Sequence, residues 1–176
     1  QDIRRMGGVW KKIPYTWCLM LIGTLALTGF PFLSGFYSKD AIIEFAYFKN
    51  SNVGYYAMTV GILTAFLTAI YSWRLFFKTF HGKYNNSDLS IEKMHESPLV
   101  MLIPLIFLAL GALFAGYAFK ELLIGDYYVD FWGKSIFFIK EIEHLHLPLW
   151  LLFSTPVLVV VAIPLSYYLY IKNTDI

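Results

Sequence analysis

Four stretches of this chain each run for about 20 residues or more without a charged side chain: Ile13 to Ser38, Asn50 to Trp73, Pro98 to Phe119 and Pro148 to Ile171. That is the length a helix needs to cross the hydrocarbon core of a bilayer. A buried helix of a water-soluble protein is shorter and keeps a polar face. Composition points the same way. Hydrophobic residues make up 58 % of the chain and charged residues 15 %, against about 45–50 % and about 25 % in soluble domains. The expected fold is therefore an all-α integral membrane protein with about four transmembrane helices. The whole of 1–176 reads as a single membrane fragment, with spans at about 14–48, 54–78, 98–119 and 148–171 and a surface segment at 120–147. The chain opens at Gln1 rather than Met and stops soon after Tyr170-Ile171-Lys172-Asn173, which leads us to expect a piece of a longer protein. Its polar, basic opening does not read as a signal peptide.

Several function classes fall away early. A net charge of +2 is too small to suggest nucleic acid as a partner. The single cysteine, Cys18, lies in an apolar run and reads as a small filler, with no internal disulfide and no metal-ligand spacing. His95-Glu96-Ser97-Pro98 lacks the second histidine of a zinc-protease signature. His144 and His146 would face apart on a helix, and His81, in a basic loop, reads as solvated. Arg74 follows Tyr71-Ser72-Trp73 and reads as an arginine reaching back to the interface beside an aromatic belt.

Proline opens three spans, at Pro14, Pro98 and Pro148, where a missing N–H is harmless. Ser97 can cap the third span. Pro104, Pro156 and Pro164 should bend their helices. Gly111-Ala112-Leu113-Phe114-Ala115-Gly116 holds two overlapping small-xxx-small pairs, a signal for close helix packing. Between Lys120 and Leu147, the residues Ile136, Phe137, Ile139, Ile142 and Leu145 share roughly one helical face, as in a helix lying on a membrane surface. Lys and Arg placement sets orientation. If Ile13–Phe48 crosses once, Arg4, Arg5, Lys11, Lys12, Arg74, Lys78, Lys83, Lys93 and Lys172 gather on one side, the better candidate for cytoplasm or matrix. Lys49, Lys120, Lys134 and Lys140 fall on the other.

The first span carries the chemistry. Apolar character persists from Ile13 to Phe48, interrupted only by Lys39, Asp40 and Glu44. As one straight helix this would extend about 54 Å, well beyond a hydrocarbon core of about 30 Å. Its middle reads Thr28-Gly29-Phe30-Pro31-Phe32-Leu33-Ser34-Gly35, and Gly29, Pro31 and Gly35 together break helices. Two readings stay open. In one, the span is two half-helices, Pro14 to Leu27 and Ser34 to Phe48, of the kind that builds ion sites in transporters. Lys39 and Asp40 then sit just past the break. A lysine there is expensive unless paired or hydrated, and burial favours its neutral form, so Lys39 becomes a candidate proton carrier with Asp40 as a possible partner. Asp40 and Glu44, four apart, share a face, with Lys39 about 100° away from Asp40. In the other reading Ile13 to Leu33 spans alone, and Lys39-Asp40 is an interfacial loop before a surface helix.

A resemblance enters on these same residues. Gln1-Asp2-Ile3-Arg4-Arg5-Met6-Gly7-Gly8 resembles the loop before the broken helix in chain 5, the antiporter-like membrane subunit, of NADH:quinone oxidoreductase, respiratory complex I. The likeness continues through Met20 to Gly29, Gly35-Phe36-Tyr37-Ser38-Lys39-Asp40, Trp73-Arg74-Leu75-Phe76-Phe77, Phe80-His81-Gly82 and His95-Glu96-Ser97-Pro98 with Met101 and Pro104. It thins after Phe119. The resemblance implies a discontinuous helix whose lysine, matched here by Lys39, belongs to a proton path along the middle of the membrane. It implies a proton-translocating part of a multisubunit enzyme with no cofactor in this chain. NADH, FMN, iron–sulfur clusters and quinone are expected in other subunits. The implied partners are the other membrane-arm subunits, above all the adjacent antiporter-like one, and the lipid bilayer of a bacterial inner or mitochondrial inner membrane. The break departs from the family's usual Pro-Pro or Pro-Phe-Ala pattern, with Phe30-Pro31-Phe32-Leu33-Ser34 in its place. A subunit of a multisubunit Na⁺/H⁺ antiporter, which uses a homologous large subunit, and a purely structural membrane spacer are the rival readings.

Overall fold

In a computed structural model of the chain, the described residues are 3–84, 94–123, 125, 127–133, 135 and 147–173. They form helices and no strand. After short 3₁₀ turns at Ile3–Arg5 and Val9–Lys11 come α1 (Pro14–Thr28), α2 (Ser34–Phe48), α3 (Asn52–Phe80), α4 (Leu99–Leu123), a five-residue α5 (Tyr128–Trp132) and α6 (Leu149–Tyr167). A π-helical turn, Tyr168–Lys172, extends α6. Three helices are long and apolar enough to cross a membrane: α3, α4, and α6 with its π turn.

The first span is broken as its glycines and proline predict. Its halves, α1 and α2, have 15 residues each, or about 22 Å at the helical rise. Neither reaches across about 30 Å of hydrocarbon alone. Gly29 ends α1 in the left-handed region at φ 81°. Its N–H donates to Ala26 O at 3.2 Å, and Phe30 N–H donates to Leu25 O at 3.0 Å. This paired closure is the Schellman motif, which glycine adopts without a Cβ penalty. Phe32 also takes a positive φ, 71°, and is 79 % exposed. Pro31 cannot donate, so the chain turns through Gly29–Leu33 and restarts at Ser34.

Contacts fix the course of the bundle. The chain start meets the end of α3, where Gly8 N–H donates to His81 O at 3.2 Å. At the far end Tyr47 of α2 packs edge-on against Tyr55 of α3, at 5.9 Å, and Trp150 of α6, at 6.3 Å. So α1 and α2 traverse in one direction, α3 returns, α4 goes out beside α1, and α6 returns parallel to α3. Ser51 caps α3 by accepting from Gly54 N–H at 3.1 Å. The third long helix starts at Leu99, and Met101 and Leu102 N–H both donate to Pro98 O. Pro98, not Ser97, therefore occupies the cap position. Helices α4 and α6 continue through Pro104, Pro156 and Pro164.

The buried core lies toward the chain-start end. Val9, Ala69, Trp73, Phe76, Phe77, Phe80, Val159 and Ala162 form it, with Trp17, Leu21 and Leu25 of α1 packed on it. The outward faces are apolar: Val100, Phe107 and Leu108 of α4 are all exposed. The amphipathic face expected from Ile136 to Leu145, together with His144 and His146, lies outside the described residues.

Candidate functional site

The break creates a polar spot in an apolar bundle. The last carbonyls of any α-helix have no partner within it. At the end of α1, Leu27 O accepts a hydrogen bond from Lys39 Nζ at 2.7 Å. Lys39 is on the second turn of α2, so its side chain folds back over the break and ends at the carbonyl end of the preceding half-helix. That end carries the negative pole of the helix dipole. Gly29 makes room for it: a Cβ there would stand 3.2 Å from Lys39 Cδ. Gly35 lets the halves approach, since a Cβ on it would collide with Ala26 O.

Asp40 points another way. Both its carboxylate oxygens are buried and without a hydrogen-bond partner among the described residues. It lines a narrow cleft with Ile43, Glu44, Leu151, Leu152 and Thr155. As their spacing predicts, Asp40 and Glu44 share this face, while Lys39 departs from it toward α1. Ile43 is buried beside them, with a side-chain carbon 3.2 Å from where a Cβ on Gly61 of α3 would lie. Thr155, also buried, enters from α6. The arrangement is an ammonium on one face of α2 and two carboxyl groups on another. Buried polar atoms without partners are rare in folded chains and call for an explanation; Ser72, Trp73 and Ser166 hold the others among the described residues, away from this cleft.

Other residues singled out in the sequence behave differently. Arg74 is exposed, with its guanidinium 5.5 Å from the centre of the Tyr170 ring, and Lys78 lies 5.6 Å from the same ring. That is a cation–aromatic cluster at the helix ends, away from Lys39. His81 is not a solvated loop residue. It is half-buried among Trp10, Trp17, Phe76 and Phe77, and Trp17 Nε1–H donates to its Nε2 at 3.2 Å. This burial pushes the imidazole below its ordinary range. The basic sequence around His81 hid the indoles that cover it, which arrive from more than sixty residues earlier. Leu27 O and Thr155 were also absent from the sequence-level site. The first is a backbone atom exposed by the break, and the second joins the lining of the Asp40 cleft only through the packing of α6. Among the described residues no group of three or more His, Cys, Asp or Glu side chains could hold a metal ion.

Comparison with known proteins gives a consistent picture. Residues 1–68 match the family model described as NADH:quinone oxidoreductase/Mrp antiporter, TM. The chain is 45 % identical over 143 residues to NADH-ubiquinone oxidoreductase chain 5 of Marchantia polymorpha, covering 81 % of this chain and 21 % of that protein. It is 47 % identical over 137 residues to the protein of the same name from Phytophthora infestans, covering 78 % of this chain and 20 % of the relative. The Arabidopsis thaliana protein is 45 % identical over 143 residues, 81 % of this chain and 21 % of that one. The chain thus spans about a fifth of the length of the curated relatives it matches.

Proposed function

Because this chain is a homologue of NADH-ubiquinone oxidoreductase chain 5 across most of its length, we propose that it forms part of a proton-translocating membrane-arm subunit of that enzyme, with Lys39 as a proton carrier. The observation that carries this reading is the ammonium of Lys39 seated on Leu27 O, at the mouth of a broken helix, with the unpartnered carboxylate of Asp40 on the adjoining face of α2. The helix carbonyl and Asp40 stabilise an ammonium there. The surrounding apolar helices make an unaccompanied one expensive. A lysine held between such opposing terms changes protonation when a neighbouring charge moves, and Asp40 is the nearest group in sequence able to bias it.

In this reading the chain holds no redox cofactor. NADH, FMN, iron–sulfur clusters and quinone belong to other subunits, and their electron transfer drives protonation changes here. The partners are the other membrane-arm subunits, the adjacent antiporter-like one first. The end that bears Arg4, Arg5, Lys11, Lys12, Lys78, Lys83 and Lys172 faces cytoplasm or matrix, as the distribution of basic residues favours.

The test uses the full-length subunit in its assembled complex, in sealed vesicles. Lys39→Ala should abolish proton pumping while a native gel shows the complex intact. Unchanged pumping per NADH oxidised would overturn the assignment and leave a structural spacer. The matched family model also describes Mrp antiporters. Na⁺-driven proton exchange, with no quinone-reducing subunits co-purifying, would favour that rival.

A further inference from the structure

Glu96 belongs to the His95-Glu96-Ser97-Pro98 run, which the site above does not use. Its half-buried side chain reaches the first turn of α1, across 80 residues of sequence. Thr16 N–H donates to Glu96 Oε1 at 3.0 Å and to Oε2 at 3.4 Å, and the Thr16 hydroxyl donates to Oε2 at 3.0 Å. The first N–H groups of a helix have no partner within it. Here Pro14 has none to offer, and Trp17 N–H is taken by Ile13 O at 2.9 Å. Glu96 supplies the acceptor for Thr16 from the segment that leads into α4. An anion at this pole of a helix is favoured by the aligned peptide dipoles.

The opposite pole of the same helix carries a cation, because Lys39 sits on Leu27 O. Helix α1 is therefore held at its start by Glu96 and at its end by Lys39. Beyond the indole N–H of Trp17, which donates to His81 Nε2 at 3.2 Å beside the Glu96 tie, the helix between these ends is apolar, and the hydroxyls of Thr24 and Thr28 turn back onto Met20 O and Leu25 O of the same helix. Apolar packing is non-directional, so hydrogen-bonded ties carry most of the axial positioning. A slip by one residue's rise, about 1.5 Å, takes a hydrogen bond of 2.7 Å out of range.

We propose that Glu96 is a positioning residue for the Lys39 site: by pinning Thr16 it sets the axial position of α1, and with it the place of Leu27 O opposite the Lys39 ammonium. The proposal rests on the reading of Lys39 as a proton carrier. It assigns Glu96 no proton of its own to move, so an uncharged acceptor of the same shape should serve.

The experiment compares Glu96→Ala, Glu96→Gln, Thr16→Val and Lys39→Ala in the full-length subunit within the assembled complex, recording protons moved per NADH oxidised in sealed vesicles. Glu96→Ala should lower that ratio at least about tenfold, since an ångström of misplacement can cost about a hundredfold. Glu96→Gln, whose amide oxygen still accepts from Thr16 N–H, should restore most of it. Thr16→Val, which keeps the backbone donor, should fall between. A wild-type ratio in Glu96→Ala, with Lys39→Ala inactive, would overturn the positioning role and spare the proton-carrier reading. A Glu96→Gln variant as impaired as Glu96→Ala would also overturn it, because the charge and not the hydrogen bond would then be at work. A wild-type ratio in Lys39→Ala would overturn both. If Glu96→Ala yields no assembled complex, Thr16→Val decides: a wild-type ratio there overturns the proposal, and a reduced one supports it.

Discussion

Gly35 lies against Ala26 so closely that its missing Cβ would occupy the space of the Ala26 carbonyl oxygen. The two half-helices meet through this contact, one turn before Lys39. Gly35→Ala should therefore force them apart and destabilise the subunit by about 1–3 kcal/mol, the usual penalty of overpacking. Thermal denaturation of the detergent-solubilised complex, followed by native gel, reads this. An unchanged melting profile would mean that the halves can separate freely.

Lys39→Gln separates two roles of one side chain. A glutamine amide keeps an uncharged donor turned toward the break, though one bond shorter than lysine, and it cannot release a proton at any working pH. If the chain is the proposed complex I subunit, the assembled complex should oxidise NADH slowly, with pumping lost. Pumping at the wild-type ratio would place proton transfer elsewhere.

Gly111 and Gly116 offer a matched pair on α4. A Cβ on Gly116 would stand 2.5 Å from Ser34 Cα and 2.7 Å from a ring carbon of Tyr37, whereas nothing lies within 4 Å of one on Gly111. Gly116→Leu should impair assembly by displacing the start of α2. Gly111→Leu should be tolerated. Equal effects at the two positions, measured as yield of intact complex, would contradict this packing.

His81 should make the junction of the chain start with α3 acid-sensitive. A free imidazole takes up its proton near pH 6.5, and burial moves folded His81 below that value. Below about pH 6.5 the opened junction then binds more protons than the closed one, so closure loses stability as pH falls and regains it as pH rises. Protection factors for residues 8–17, the observed amide exchange rate set against the intrinsic rate at each pH, should fall on acidification, and His81→Phe should remove most of the change. Protection factors in the native protein that do not change with pH would refute it.

The spans and the break were legible because they depend on local rules. Gly29, Pro31 and Gly35 announce a helix interruption whatever surrounds them, and the halves begin at Pro14 and Ser34 as read. The shared face of Asp40 and Glu44 follows from helical periodicity alone. What lies across from them does not. Thr155 lines the same cleft as Asp40 through packing between segments more than a hundred residues apart, and nothing in either local sequence marks the pair. His81 was misread for the same reason, since the lysines on either side of it suggested a basic loop, while the indoles of Trp10 and Trp17 that cover it come from the start of the chain. The small-xxx-small run was half informative: Gly116 touches a partner helix, and Gly111 faces away from any within 4 Å.

The interruption at Gly29–Leu33 also settles a question of parity. Counting helices long enough to cross gives three, and an odd count would strand Val9 and Ile171 on opposite faces of a bilayer. Yet Gly8 bonds His81, and Ile171 Cδ1 comes within 3.4 Å of the position a Cβ on Gly82 would take. The two ends share a face, which requires an even count. The two short helices therefore act as a single traversal, and a topology drawn from helix length alone would turn every later loop inside out.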